Sequence, residues 1–127
     1  MEMLRAVGLM SGTSLDGVDA ALIETDGERV GAFGPCRTFP FPDALRTEMR
    51  ELLDRAPHLP AEDPQVARLA ARLTEVHAEA VRALGEKADI VGFHGQTILH
   101  QPQLHRTWQI GDGQALASLA QADVIAA

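Results

Sequence analysis

The sequence predicts an α/β fold, and three observations carry the prediction. Short apolar runs near the start, Arg5–Met10 and Val18–Thr25, have strand length and are separated by a polar, glycine-containing turn. Two later segments repeat apolar residues at helical spacing. A third set of strand-like runs then alternates with a further helical stretch, which is the order of strand–helix–strand units.

The elements follow in chain order. Arg5–Met10 and Val18–Thr25 read as paired strands, and Asp26-Gly27 is a hairpin turn leading to a third strand over Val30–Phe41, so the chain begins as a meander. Pro40 and Pro42 close it. Ala44–Arg55 carries Leu45, Met49, Leu52 and Leu53 on one helical face before Pro57 and Pro60 interrupt the pattern. Asp63-Pro64 supplies an N-cap residue followed by proline at the first helical position, opening a helix that runs to Leu84 and stops at Gly85. Val66, Leu69, Leu73, Val76, Ala80 and Leu84 line its apolar face, and His77 beside them reads as a partly buried packing residue. Ala88–Phe93 is a buried strand, Thr107–Ile110 a short one, Gln114–Ala120 a helix and Val124–Ala127 a last apolar run read as core.

Composition bounds the function. The 127 residues suffice for one core, so residues 1–127 are read as a single lobe with no second domain. Eleven basic against 18 acidic residues give a net charge of −7, which argues against nucleic acid or an anionic membrane as partner. Cys36 is the only cysteine, so no internal disulfide forms, and no signal-peptide pattern or membrane-length apolar stretch is visible. A soluble, cytoplasmic protein is expected.

The richest segment is Gly8-Leu9-Met10-Ser11-Gly12-Thr13-Ser14-Leu15-Asp16-Gly17-Val18-Asp19. Its three glycines allow positive φ and close approach to a ligand. Ser11, Thr13 and Ser14 add hydroxyls to a row of main-chain N–H groups suited to phosphate oxygens. Asp16 and Asp19 add hard oxygen ligands for a Mg²⁺ that accompanies a nucleotide. The plain alternative is a hairpin whose glycine and aspartate serve backbone geometry alone. Two sharper motifs fail here. Gly12 and Gly17 have Walker spacing, but Val18 stands at the lysine position. Gly12-Thr13-Ser14-Leu15-Asp16 has aspartate where a nucleophile elbow needs its last glycine.

His94, Gly95 and Gln96 follow a predicted strand at the sheet edge where ligands of α/β proteins collect. With Gln109 and Asp112, joined through the turn glycine Gly111, they offer the paired donors and acceptors that a carbohydrate requires. Asp112 has a second reading as the N-cap of the helix that follows. His94, His100 and His105 match no zinc spacing.

Three blocks in order, Val7–Ile23, Gly92-Phe93-His94-Gly95-Gln96-Thr97 and Trp108-Gln109-Ile110-Gly111-Asp112, resemble the N-terminal part of the anhydro-N-acetylmuramic acid kinases. The resemblance implies an RNase H-like fold of the actin, Hsp70 and hexokinase-like kinases. The segment from Ser11 through Leu15, Asp16, Gly17 and Val18 to Asp19 then lies against the ATP phosphates, with Mg²⁺ near Asp16 and Asp19. His94, Gly95, Gln96, Gln109, Gly111 and Asp112 are then on the sugar side. It further implies an enzyme that hydrolyses the 1,6-anhydro bond and phosphorylates O6 to give N-acetylmuramic acid 6-phosphate, in peptidoglycan recycling. Most of that superfamily carries an aspartate inside the first strand, where this chain has Gly8-Leu9-Met10-Ser11. By the same resemblance the chain reads as an incomplete N-terminal lobe, with the catalytic base beyond residue 127, so self-association or a missing C-terminal lobe is expected to cover its apolar surface. Two other readings stay open: another sugar kinase of the superfamily, and a non-catalytic nucleotide-binding or subunit-contact module.

Overall fold

A computed structural model describes residues 2–126. Among these residues, seven strands and three α-helices follow in the order β1 (Leu4–Met10), β2 (Gly17–Thr25), β3 (Val30–Pro40), α1 (Asp43–Arg55), α2 (Pro64–Ala83), β4 (Ile90–Phe93), β5 (Gln96–Gln101), β6 (Arg106–Ile110), α3 (Gly113–Ala120) and β7 (Asp123–Ala126). The main sheet has the order β3-β2-β1-β4-β7. Its first three strands form the expected antiparallel meander, and β4 and β7 add in parallel through helical crossovers. This is the strand order and sense of the RNase H-like fold. The hairpin β5–β6 stands apart as a two-stranded sheet.

Alternation along β1 decides which face is covered. Val7 and Leu9 are buried while Gly8 and Met10 are exposed, so the helices pack on one face only. Val91 and Phe93 of β4 and Val18, Ala20 and Leu22 of β2 join the covered face. Leu69 and Leu73 of α2 and Met49 and Leu52 of α1 meet them with no exposed surface. Truncating any one of these leucines to alanine removes about 2–5 kcal/mol of packing and leaves a cavity.

The local signals at α2 act as the sequence suggests. The Asp63 carboxylate accepts from the Gln65 N–H, Pro64 opens the first turn, and Gly85 stops the helix with φ +79°. Asp26 accepts from the N–H groups of Glu28 and Arg29, closing the β2–β3 connection around Gly27 at φ +97°.

Three expectations change. Gln96–Gln101, unassigned from the sequence, is the strand β5, whose partner β6 supplies the pairing that alternation did not signal. Val124–Ala127, read as core, is instead the edge strand β7, with Val124 half-buried and Ile125 exposed; Ala127 lies outside the described residues. His77, read as partly buried, is fully buried. Its Nδ1–H donates to the Leu73 carbonyl at 2.8 Å and its ring meets Phe93 edge-on at 5.1 Å.

Burial holds the His77 pKa below its ordinary 6.5; the Leu73 carbonyl opposes this shift and the neighbouring His94 adds to it. A histidine pKa depressed on folding means that the unfolded chain binds the proton first. The stability is therefore complete above about pH 6.5 and falls as the pH drops through the window between the unfolded and folded values. Urea unfolding from pH 8 to pH 5 should show this loss, at no more than about 1.4 kcal/mol per pH unit, and His77→Gln should flatten that part of the profile.

Candidate functional site

Residues 11–16 connect β1 to β2, whose register pairs Met10 with Asp19. Within the connection the Leu15 N–H donates to the Gly12 carbonyl at 3.1 Å, forming a turn over Gly12-Thr13-Ser14-Leu15. Gly12, Thr13, Ser14 and Asp16 are exposed. Among the described residues, no main-chain acceptor is bonded to the N–H groups of Gly12, Thr13, Ser14 or Asp16. The expected hairpin turn is therefore present, with main-chain donors left over.

Glycine plays a different part in it from the one expected. Positive φ falls on Leu15, at +61°, and not on Gly8, Gly12 or Gly17. A bulky residue holds that conformation here because its side chain is buried in the core. Val18 is buried as well, so both residues offer the turn only main chain. Gly17 is needed because a Cβ there would collide with the Phe39 carbonyl on β3, and Gly8 and Gly12 leave open surface.

The second motif lies directly against the first. Ser11 Oγ donates to the Gly95 carbonyl at 3.3 Å, and Gln96 Nε2 donates to the Gly12 carbonyl at 3.2 Å. Gln96, expected on the sugar side, is fully buried behind the turn, with Nε2 also bonded to the Thr97 carbonyl at 3.0 Å and Oε1 without a partner among the described residues. Gln96 is the first residue of β5, directly after Gly95.

The third motif closes on the same edge. Gly95, at φ +77°, runs so close to the Ile110 carbonyl that no side chain fits, and a Cβ on Gly111 would come within 2.6 Å of the Phe93 ring. Asp112 caps α3, accepting from the N–H groups of Gln114 and Ala115 at 3.0 and 3.1 Å, so its N-cap reading holds. Half-buried His94 lines a cavity of about 350 Å³ with Gly8, Gly92 and Ala126. Gly111 and Asp112 line a neighbouring one of about 540 Å³ that shares Ala126. Gln109 is exposed on β6 and donates to Thr97 Oγ1 at 3.3 Å.

Asp16 and Asp19 do not meet in a dense ligand cluster. Asp19 is exposed on β2 and accepts from Thr38 Oγ1 at 2.5 Å, and no group of three His, Cys, Asp or Glu is poised for a metal among the described residues.

Two residues of the site escaped the sequence reading. Arg46 of α1 donates through Nε to the Leu15 carbonyl at 3.1 Å, and buried Thr74 of α2 accepts from the Asp112 N–H at 3.0 Å. Arg46 looks like any surface residue of an amphipathic helix. Thr74 left a signal, a hydroxyl next to the apolar face of α2.

Fold and loop together define the class of this chain: an α/β lobe of the RNase H-like kinases whose first hairpin carries a polar, glycine-containing turn. The family profile described as anhydro-N-acetylmuramic acid kinase matches residues 4–127. The chain belongs to the anhydro-N-acetylmuramic acid kinase family. It is 55% identical over 122 residues to the anhydro-N-acetylmuramic acid kinase of Acidiphilium cryptum (strain JF-5), covering 96% of this chain and 34% of the relative. The kinase of the same name from Gluconobacter oxydans (strain 621H) is 55% identical over 128 residues, covering 97% of this chain and 36% of the relative. That of Bradyrhizobium diazoefficiens is 52% identical over 125 residues, covering 91% and 34%. The chain thus spans about a third of the length of the curated relatives it matches.

The two glycine environments give a direct test. Gly95→Ala should cost about 1–3 kcal/mol in urea unfolding, from positive φ and the collision with Ile110. Gly12→Ala, whose added Cβ meets only Ser14 Oγ at 3.9 Å, should stay within about 0.5 kcal/mol of the parent. Equal losses would contradict the packing described.

Proposed function

We propose that this chain supplies the phosphate-binding turn and part of the sugar site of a kinase acting on anhydro-N-acetylmuramic acid. In this reading the enzyme hydrolyses the 1,6-anhydro bond, water adding at C1 as the C1–O6 bond breaks, and transfers the ATP γ-phosphoryl group to O6, giving N-acetylmuramic acid 6-phosphate and ADP in peptidoglycan recycling. Family membership supports the substrate class. The single observation that carries the division of labour is the Ser11–Gly17 turn, whose main-chain donors are left over while the carbonyls of Gly12, Leu15 and Asp16 are occupied from inside the protein.

ATP, when bound, supplies the transferred group. The N–H groups of Thr13, Ser14 and Asp16, with the hydroxyls of Thr13 and Ser14, would meet its phosphate oxygens, since main-chain N–H groups at a turn favour anions. Ser11 is spent on Gly95 and holds the turn to the β4–β5 connection. Asp16 and Asp19 would hold Mg²⁺ together with water and phosphate oxygens. On the sugar side, His94, Gln109 and Asp112 are the polar groups, with Gly95 and Gly111 bringing main chain close. Gln96 contributes through the unpartnered Oε1 or through the turn it holds. Catalysis of this kind rests on positioning and charge neutralisation.

The same reading includes a cytoplasmic location and cover for the exposed apolar residues by self-association or by a missing C-terminal lobe. Free, exposed Cys36 supports the first, and exposed Met10, Phe33 and Ile125 support the second. Among the described residues no helix is long and apolar enough to cross a membrane.

This chain alone is expected to be inactive, so steady-state kinetics of the full-length enzyme, with ATP and sugar varied separately, test the assignment. Asp16→Asn should lower kcat at least about tenfold, because a carboxylate linked to the metal acts on the transferring phosphoryl group. His94→Ala should raise the sugar KM about 2–12-fold with a smaller effect on kcat, as expected for one neutral hydrogen bond. An Asp16→Asn enzyme with intact kcat and a raised sugar KM would overturn the division into a phosphate turn and a sugar edge.

A further inference from the structure

We propose that Gln96 and Arg46 are positioning residues that set the polarity of the Ser11–Gly17 turn. They occupy main-chain carbonyls from the protein side and so turn the following N–H groups outward. The geometry of the peptide unit makes the link. In a planar trans peptide the C=O of one residue and the N–H of the next point in opposite directions. Gln96 Nε2 draws the Gly12 carbonyl inward at 3.2 Å, which aims the Thr13 N–H away from the interior. Arg46 Nε does the same at the Leu15 carbonyl at 3.1 Å, which aims the Asp16 N–H. The Phe41 N–H takes the Asp16 carbonyl at 3.3 Å, completing the set.

Each holder is itself fixed. Gln96 has no exposed surface, and its second bond, to the Thr97 carbonyl at 3.0 Å, settles that nitrogen and not Oε1 faces Gly12. Arg46 is carried by α1 and braced by Asp43 at 3.5 Å. The left-handed backbone at Leu15 would relax in a free loop; here the buried side chain and the Arg46 bond on its carbonyl hold it. A carbonyl oxygen turned to the cleft would repel an anion where an N–H attracts one, so the two side chains decide the sign of the field that the turn presents. This consequence for nucleotide rests on the phosphate-turn reading above, whereas the conformational effect does not.

The test is ¹⁵N NMR, without ligand on this 127-residue chain and titrated with Mg·ATP on the full-length kinase. Gln96→Met keeps length and apolar volume but removes the donor, and Arg46→Met does the same on the half-exposed α1. The order parameter of the Thr13 amide should fall in Gln96→Met from about 0.85 to below about 0.6. That of the Asp16 amide should fall likewise in Arg46→Met, while the β1 and β2 amides stay rigid in both. Shifts of the turn amides on adding Mg·ATP should then need about three- to tenfold more nucleotide. Unchanged Thr13 and Asp16 amides in the two variants, or an equal loosening of the whole fold in Arg46→Met, would overturn the proposal. If Gln96→Met does not fold, Arg46→Met decides alone. If the turn loosens as stated but Mg·ATP moves no turn amide in the parent, the positioning role stands and the phosphate reading fails.

Discussion

The parallel pairing of β1 with β4 is the constraint on which the rest of this structure depends. Its register sets Ala6 beside Ile90 and Gly8 beside Gly92, an offset of 84 residues. The same offset recurs at both ends of the pair. At one end the Arg5 N–H donates to the Asp89 carboxylate, and at the other Ser11 meets Gly95 and Gln96 meets Gly12. Because strand faces alternate with a period of two, a slip of one residue would turn Val91 and Phe93 out of the core and carry Gly95 and Gln96 away from the turn. Core packing and site assembly are thus enforced by one register.

Helix α2 ties the second half of the site to that frame. Its core-facing side carries two polar residues, Thr74 and His77, that a purely apolar stripe would exclude. Both satisfy a donor within their own helix, Thr74 on the Ala70 carbonyl and His77 on that of Leu73, so their burial strands no proton. That leaves the Thr74 oxygen free to accept from Asp112, and the His77 ring free to pack on Phe93. One helix therefore fixes the distance between the β4 end and the β6–α3 turn.

Much of this was legible in the sequence, for local reasons. Asp63-Pro64 and Gly85 bound α2 through chemistry confined to a few residues, and the Gly/Ser/Thr/Asp cluster between two apolar runs marks a hairpin turn whatever lies around it. The three motifs singled out in the sequence lie together in the fold. What stayed hidden depends on contacts distant in sequence. Gln96 has the polarity of a ligand contact, and only the β1–β4 register puts it behind the turn; Arg46 gives no local sign of its bond to Leu15. The strand β5 pairs only with β6 and lies in a stretch without an assignment from the sequence. Positive φ at Leu15 was likewise unreadable, because its cause is burial and not residue type.

The two borders of the main sheet differ in their openness to growth. Along β3 the outer border is interrupted by Pro35 and Pro40, carries Arg37, and is twisted by irregular pairing with β2 between Ala21 and Ile23 and between Glu24 and Thr25. Such features blunt an edge against a further strand. β7 has no proline and no irregular pairing: its four residues pair in regular parallel register with β4, and its single charge is Asp123. Extension of this sheet is therefore directional, and a strand arriving from anywhere would find a template beside β7, at the border next to the cavities that His94 and Asp112 line.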